Sequence, residues 1–457
     1  MSRDKRANIK KTVFISSFHP FISRNILATD VLRFLSENGN VRVVLFVLHY
    51  KKDYFEKHFS YPNVIIESIA MPSPSGNFAT LACKRISKFV HHTASVRLER
   101  KLKWKQEGKF FYWLGMFALE PLFRFRFMRS FLRFIDFHTA YKGRFKPYFE
   151  KYNPNLIFAT DLLNERDVEL IHESKRYAVP AYGMVRSWDN LTLHGLVRAM
   201  PDHLVTATYR LRDDALRFHD FENKNITVVG IPHYDKYFRG PKLSRDEFFK
   251  KIGFDPAKKM IMHAVIGDQY IPDNDTDPYV LGILSTMSEQ VYVRFAPTIP
   301  TRQLQGQKPY PNMYFDKPGV VFRDDVEGDR EISIEDDDNL MCAIYYSDVV
   351  SCGPSSIALD GVFFDKPVVI AGFHSRPRGY FEGDHRWDYN HYAHPVALGA
   401  IRLAKTKEEY ISALHNYMKD PSQDKEARKE FREACCGIMD GKSGERLAKF
   451  LIIASGA

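Results

Sequence analysis

The sequence predicts an α/β protein built from two doubly wound, Rossmann-like domains facing each other across a cleft. Three observations carry this expectation. A chain of 457 residues is too long for one ordinary core. Short runs rich in Val, Ile and Phe alternate with helical stretches through both halves. Between the halves, Phe238-Arg239-Gly240-Pro241-Lys242 has the character of a linker. The expected units are residues 1–238, residues 239–440, and a closing helix at 441–457. The first of these holds a basic aromatic insertion at about 84–150.

Composition narrows the class. Apolar residues make up 44% and charged residues 27%, the range of ordinary globular protein. Residues Met1 to Lys11 are basic and run directly into Thr12-Val13-Phe14-Ile15-Ser16, which reads as a first buried strand rather than a secretory leader. No stretch of about 18 uninterrupted apolar residues marks a spanning helix. Five cysteines, Cys83, Cys342, Cys352, Cys435 and Cys436, show no metal-ligand spacing, so the expectation is a reducing cytoplasm without zinc or disulfides. The net charge is +10, yet Lys84 to Glu150 alone carries sixteen Lys and Arg against five acids. The rest of the chain is close to neutral, and the question of partners falls on that segment.

In the first half, Val13-Phe14-Ile15 leads into Ser16-Ser17-Phe18-His19-Pro20, and a helix is expected from about Ile22 to Glu37. The nearly continuous apolar run Val41 to Val47 then completes a βαβ unit. Ligands of such sheets gather outside the carboxyl ends of the strands, which makes His19 a candidate general base. The plainer reading of His19 is a loop histidine beside Pro20. No glycine-rich dinucleotide fingerprint follows this first strand. After the insertion, strands are expected at Asn155–Thr160, Pro180–Val185, Asp202–Ala207 and Ile226–Gly230, with a helix over Asn164–Tyr177.

The insertion reads KFFYWLGMFALEPLFRFRFMRSFLRFIDF from Lys109 to Phe137. Its aromatics and Arg124, Arg126, Arg129 and Arg133 suit an anionic membrane surface, rings inserted and arginines on headgroups. The bland reading is a domain helix with its large residues packed inward. Single-stranded nucleic acid is the third reading and is not expected as a partner, since the arginines line no RNA-binding motif.

In the second half, strands are expected at Met260–Ile266, Gln290–Phe295, Val320–Asp324, Asp348–Cys352 and Asp365–Ile370. The acidic run Glu335 to Asp338 is expected to cap a helix near Asn339 to Ser347. The chemistry is clearest at Gly353-Pro354-Ser355-Ser356, a tight turn from strand to helix. Unsatisfied N–H groups at a helix start, with two hydroxyls, suit a diphosphate. The competing reading is that Ser355 only caps the helix. Asp273, Asp275 and Asp277 have the look of a metal-binding run, but a solvated loop is the expected explanation.

Asp348 to Asp360, followed by Asp365-Lys366-Pro367-Val368-Val369, resembles the C-terminal signature of GT-B glycosyltransferases, and most closely the branch of the CDP-glycerol glycerophosphotransferases. Val228-Val229-Gly230-Ile231-Pro232-His233-Tyr234-Asp235 resembles the GxPxxD crossing of that branch. Arg186 to Thr192 is similar to a loop of related transferases, and the helix at Gly444-Glu445-Arg446 to the family's terminal helix. The resemblance implies that Gly353, Pro354, Ser355 and Ser356 hold the donor's phosphates, with Arg323, His374 and Arg376 nearby and no metal. Two departures stand out. Trp188-Asp189-Asn190 replaces the branch's Trp-His-Gly, and Ala296-Pro297 replaces its His-Pro. Losing both histidines favours sugar transfer over polyol-phosphate transfer.

The expectation is therefore a GT-B glycosyltransferase. It would move a sugar from a nucleotide-activated donor to a cell-surface glycan or lipid-linked acceptor, peripherally bound at the cytoplasmic face of the membrane. Asp189 is the first candidate to deprotonate the acceptor, with His194 and His19 as rivals, and Asp189 as a plain turn residue is the competing reading. No cofactor beyond the donor is expected. The alternatives are a CDP-polyol phosphate transferase, a nucleotide-sugar epimerase, and a non-catalytic scaffold at the membrane.

Overall fold

The structure, a computed structural model, describes residues 10–70, 78–269, 271, 273–323 and 329–457. The basic start before Lys10 and the expected strand end at Asp324 lie outside the described residues. The chain forms two compact units. One takes the chain up to Arg100, Phe110–Asp235 and Ile438–Ala457; the other takes Lys101–Lys109 and Lys236–Gly437.

The first unit is organised by seven strands: β1 (Lys11–Ser17), β2 (Val41–Leu48), β3 (Val64–Ile69), β4 (Leu156–Ala159), β5 (Ala181–Met184), β6 (His203–Thr206) and β7 (Ile226–Val228). Their order is β3-β2-β1-β4-β5-β6-β7, and every pairing is parallel. Strands covered on both faces need apolar side chains at successive positions, and β2, with sequence VRVVLFVL, is buried at seven of its eight residues. Phe14 packs edge-on against Phe46 and Phe149 at the centre of this core.

The expected helix from Ile22 to Glu37 is interrupted. A π-turn at Ser23–Leu27 ends at Ala28, and a new helix starts at Asp30 because the Thr29 hydroxyl accepts the Val31 N–H. Hydrophobic periodicity persists across such a cap, so it cannot reveal the break. The closing helix, Ser443–Ser455, belongs to this first unit. Asp235 accepts the N–H groups of Ser443 at 2.9 Å and Gly444 at 2.7 Å, which gives the last residue of the GxPxxD segment a capping role.

The insertion between β3 and β4 is helical at Phe78–Phe89, Ala94–Glu107, Phe110–Leu119, Arg126–Thr139 and Lys146–Tyr152. Among the described residues no helix is long and apolar enough to cross a membrane. Phe111, Phe117, Phe125, Phe127, Phe131 and Phe134 are all exposed, while Phe123 and Leu132 are buried, so inward packing holds for only part of the large side chains. The arginines are the second surprise. Arg129 and Arg133 do not project as headgroup ligands; they are nearly buried and converge on Asp220, at 2.5 and 2.7 Å. Arg124 and Arg126 remain exposed.

The second unit holds β8 (Met260–Ala264), β9 (Gln290–Arg294), β10 (Met313–Asp316), β11 (Val320–Val321), β12 (Arg330–Glu331), β13 (Val349–Cys352), β14 (Val368–Ala371) and β15 (Arg402–Ala404). Six of them form a parallel sheet in the order β10-β9-β8-β13-β14-β15. The expected third strand at Val320–Asp324 is corrected. That place is taken by β10, while Val320 and Val321 are exposed and pair with β12 in an antiparallel ribbon. The helix expected near Asn339 begins earlier, at Ile334, where Ser333 and Asp336 form a capping box.

Candidate functional site

In an open parallel sheet the strand order reverses at one point, and the loops leaving the two strands there diverge to opposite faces, opening a crevice for ligand. In the second unit that point lies between β8 and β13. The loop leaving β13 is Gly353-Pro354-Ser355-Ser356. Gly353 and Pro354 are buried, Ser355 is half-buried and Ser356 is exposed. Glycine is required at 353 on steric grounds. A Cβ there would run into Ile266 Cγ1 and come within 3.0 Å of Ile266 Cδ1. The Ser355 hydroxyl accepts the Ile357 N–H at 3.4 Å, and its carbonyl accepts the Tyr392 hydroxyl. Ser355 thus has a capping role, while the Ser356 side chain makes no cap bond.

The loop leaving β8 is held by Asp277, which accepts the N–H groups of Ile266 and Gly267, each at 2.8 Å, and Asn274 Nδ2 at 2.7 Å. Asp277 is fully buried, and burial pushes its carboxyl above the usual range. Of the run Asp273, Asp275, Asp277, expected as a solvated loop, Asp273 is exposed, Asp275 is half-buried and Asp277 is buried. Asp273 pairs with Arg376 at 2.6 Å and Asp275 with Arg378 at 2.5 Å, so these carboxylates latch the loop that follows β14. His374, in that loop, shares a 2.7 Å hydrogen bond with Thr276 Oγ1. Burial and the nearby Arg378 lower its imidazole pKa.

The structure thus brings Gly353, Pro354, Ser355, Ser356 and His374 to the carboxyl side of one sheet, with Arg376 on its exposed rim. Arg323 stands apart. It follows the short ribbon strand β11 and pairs with Asp329 at 2.5 Å. Arg378, which sequence reading passed over, is better buried than Arg376, and its alternation with Arg376 after β14 was the available signal.

In the first unit the switch point lies between β1 and β4. Ser16, at the end of β1, bonds Asp167 and approaches Thr160 Oγ1 at 3.3 Å. Burial, followed by the charge of Asp161, holds the Asp167 carboxyl well above its usual range. Asp161, just beyond β4, pairs with Arg186, just beyond β5. His19 follows β1. Its Nδ1 accepts the Phe21 N–H at 3.2 Å, so the neutral ring carries its proton on Nε2. Burial, and then the charges of Arg186, Lys51 and His194, push His19 down to about 3. A neutral ring with N–H at Nε2 is a hydrogen-bond donor, which disfavours His19 as a base through that nitrogen.

Asp189 and His194 lie together, Oδ2 to Nε2 at 3.4 Å, and His194 is exposed. Asn190 of the same turn is buried and accepts the Ser187 N–H at 2.5 Å. Lys51, Asp161 and Arg186 are site neighbours that sequence reading did not single out. Their signal was positional, since each follows the carboxyl end of a strand.

Residues 315–453 match the family described as CDP-Glycerol:Poly(glycerophosphate) glycerophosphotransferase, a stretch that includes the Gly353–Ser356 turn. A comparison with curated protein sequences finds no significant match. Among solved structures, a putative UDP-N-acetylglucosamine 2-epimerase from Listeria monocytogenes is similar with a TM-score of 0.55 at 11% identity, over 97% of this chain and 96% of that one. UDP-GlcNAc 2-epimerase from Methanocaldococcus jannaschii, in complex with UDP-GlcNAc and UDP, gives 0.53 at 12% identity, over 97% and 99%. The glycotransferase of kitacinnamycin gives 0.51 at 10% identity, over 97% and 99%. At these identities the likeness shows the fold. The chain has the GT-B fold, and its residues 315–453 carry a likeness to the CDP-glycerol glycerophosphotransferase family.

Proposed function

We propose that the protein is a transferase moving a sugar from a nucleotide-activated donor to a hydroxyl of a cell-surface glycan or lipid-linked acceptor. The observation that carries this reading is the Gly353–Ser356 turn, which stands at the switch point of a parallel sheet within the family-matched stretch. There the donor's diphosphate takes the N–H groups and hydroxyls of Ser355 and Ser356, and those donors stabilise the charge that develops on the leaving phosphate. His374 and Arg376 line the same side. The reaction as proposed needs no metal.

The acceptor belongs to the first unit. With His194 Nε2 turned toward Asp189, Nδ1 is the nitrogen that takes the acceptor's proton, and Asp189 orients the ring. The exposed phenylalanines of the insertion support a location of this chemistry at an anionic membrane surface, on the cytoplasmic side where nucleotide donors are made.

A second reading, transfer of a polyol phosphate from a CDP-linked donor, is favoured by the family match itself. Thermal melting with UDP, GDP, CDP, CMP and dTDP tests the donor site. One nucleotide at a hundred times its dissociation constant stabilises the fold by about 2.7 kcal/mol. The response disappears in Ser355→Ala/Ser356→Ala. No response to any nucleotide overturns the assignment. Release of a nucleoside diphosphate during turnover identifies sugar transfer, and release of CMP identifies polyol-phosphate transfer.

A further inference from the structure

The turn that carries Asp189 and His194 is gripped from several sides by the aromatic insertion of the same unit. We propose that residues 87–93 of the insertion set the position of this turn, with Thr93 as the positioning residue for His194. The role of His194 rests on the transferase reading above; the clamp itself does not.

Thr93 is buried, and its hydroxyl bonds in both directions. It accepts the Val96 N–H at 3.2 Å, capping the helix Ala94–Glu107, and donates to the Thr192 carbonyl at 2.6 Å. One atom thus joins the start of an insertion helix to the turn, two residues before His194. Just beyond His194, the Leu196 N–H donates to the Ser87 carbonyl at 2.9 Å. Gly195 lies between, at φ 92°, and has no room for a side chain. A Cβ there would come within 2.5 Å of Lys88 Cα and 2.6 Å of the Ser87 oxygen. Arg133, from the helix Arg126–Thr139, adds a further bond, Nε to the Val197 carbonyl at 3.0 Å.

His219, just past the helix Tyr209–Phe218, completes the grip. Its Nδ1 accepts the Val197 N–H at 3.2 Å, so Nε2 carries the proton and donates to the Leu191 carbonyl at 2.7 Å. The His91 ring, from the insertion, lies against the His219 ring with centroids 4.6 Å apart. Backbone groups of Leu191, Thr192, Leu196 and Val197 are therefore tied, and His194 stands between them with an exposed side chain and Asp189 Oδ2 at 3.4 Å from Nε2. An exposed imidazole takes its direction from the backbone that carries it. A misplacement of about 1 Å at a reacting group costs roughly 100-fold in rate. Fastening the turn to the insertion thus fixes where His194 Nδ1 stands for the acceptor, and makes the insertion a working part of the acceptor site.

The test uses the full-length protein carrying ¹⁵N-labelled histidine, with His194→Gln assigning the signal. In wild type at pH 8.5 the His194 ring is expected as one tautomer, its proton on Nε2 facing Asp189. Thr93→Val keeps the shape and removes the hydroxyl. His194 is then expected to populate both tautomers, and hydrogen exchange across residues 190–197 to rise roughly 10-fold, the loss of one buried hydrogen bond. Thr93→Ser is expected to keep the wild-type result in both measurements. A contact that only supports the fold would raise exchange and leave the tautomer unchanged, and that result overturns the proposal. So does a wild-type His194 without a preferred tautomer, or a Thr93→Ser variant that behaves like Thr93→Val. Should Thr93→Val fail to fold, native-state exchange of the wild type in low urea decides. Residues 87–97 and 190–197 opening in one step with equal free energies support the clamp, and a turn that opens before the insertion overturns it. Because these measurements need neither donor nor acceptor, a failed nucleotide panel leaves their outcome readable.

Discussion

A methyl group at position 353 would collide with Ile266, because the turn after β13 crosses directly over the end of β8. Gly353→Ala therefore forces either the turn or Ile266 to move. We expect a stability loss of about 1–3 kcal/mol in denaturant melts, the usual cost of overpacking, together with loss of the nucleotide response. Adding Ile266→Ala opens the space. The double variant should recover nucleotide stabilisation while remaining less stable than wild type. If Gly353→Ala binds nucleotide normally, the turn is not the donor site. The importance of Gly353 was legible in the sequence as a Gly-Pro turn opening a helix. The part played by Ile266 was not, because contacts between distant loops leave no local pattern. Asp277 teaches the same lesson. In the sequence it is one of three alternating acids, and only the structure shows that it holds two backbone N–H groups at the start of the loop that leads to it.

At the scale of elements, the helix Arg126–Thr139 is fastened by charge and free on its aromatic side. Arg129 and Arg133 are 13% and 12% exposed and share Asp220, which has a left-handed backbone at φ 67°. Asp220→Asn tolerates that backbone and removes the charge, leaving two nearly buried guanidiniums without their counter-ion. We expect a loss on the order of 3 kcal/mol in urea melts, against less than about 1 kcal/mol for exposed Arg124→Ala. Equal effects would show that Asp220 is not the fastening. The aromatic side gives the opposite pattern. Phe127 and Phe131 of this helix, and Phe111 and Phe117 of the helix Phe110–Leu119 before it, are 66%, 55%, 84% and 57% exposed, so changing all four to Ser should leave the melt within about 1 kcal/mol. Sedimentation with vesicles rich in phosphatidylglycerol should fall sharply in that variant. Unchanged sedimentation removes the membrane from the proposed function. Periodicity alone could not tell which arginines would be tied down, because Asp220 is remote in sequence and meets them only in the folded unit.

For the whole molecule, buried histidines set an acid limit. His263 is fully buried, shares a 3.0 Å hydrogen bond with Ser351, and is pushed by burial from 6.5 to about 3. Below about pH 6.5 the unfolded chain takes up a proton here that the native state refuses until about pH 3. The stability contributed by neutral His263 is therefore complete above that window and declines as pH falls through it. His172 at about 3 and His219 at about 4 act with the same sign. Asp167 and Asp277, with raised values, act oppositely, so the clean observable is a difference between two chains. Denaturant melts of wild type and His263→Asn at pH 6.5 and 4.5 should show wild type losing more stability, with the extra slope of a single proton. Parallel profiles would show that His263 takes up its proton in the folded state.

The sequence by itself determined the doubly wound class, the place of most strands, the Gly-Pro turn that opens a helix at Gly353–Ser356 and the excess charge of the insertion. These are local properties, written in apolar runs, in turn residues and in composition. Only the tertiary structure decided that Val320 and Val321 lie outside the main sheet, that the closing helix joins the first unit on Asp235, and that Asp273 and Asp275 pair with arginines. It also decided which side chains meet at each switch point. Arg186, Asp161, Lys51 and His19 are far apart in the chain, and a parallel sheet delivers its strand ends to one edge regardless of sequence separation. That is why the strands could be read one segment at a time, whereas the site required the sheet order.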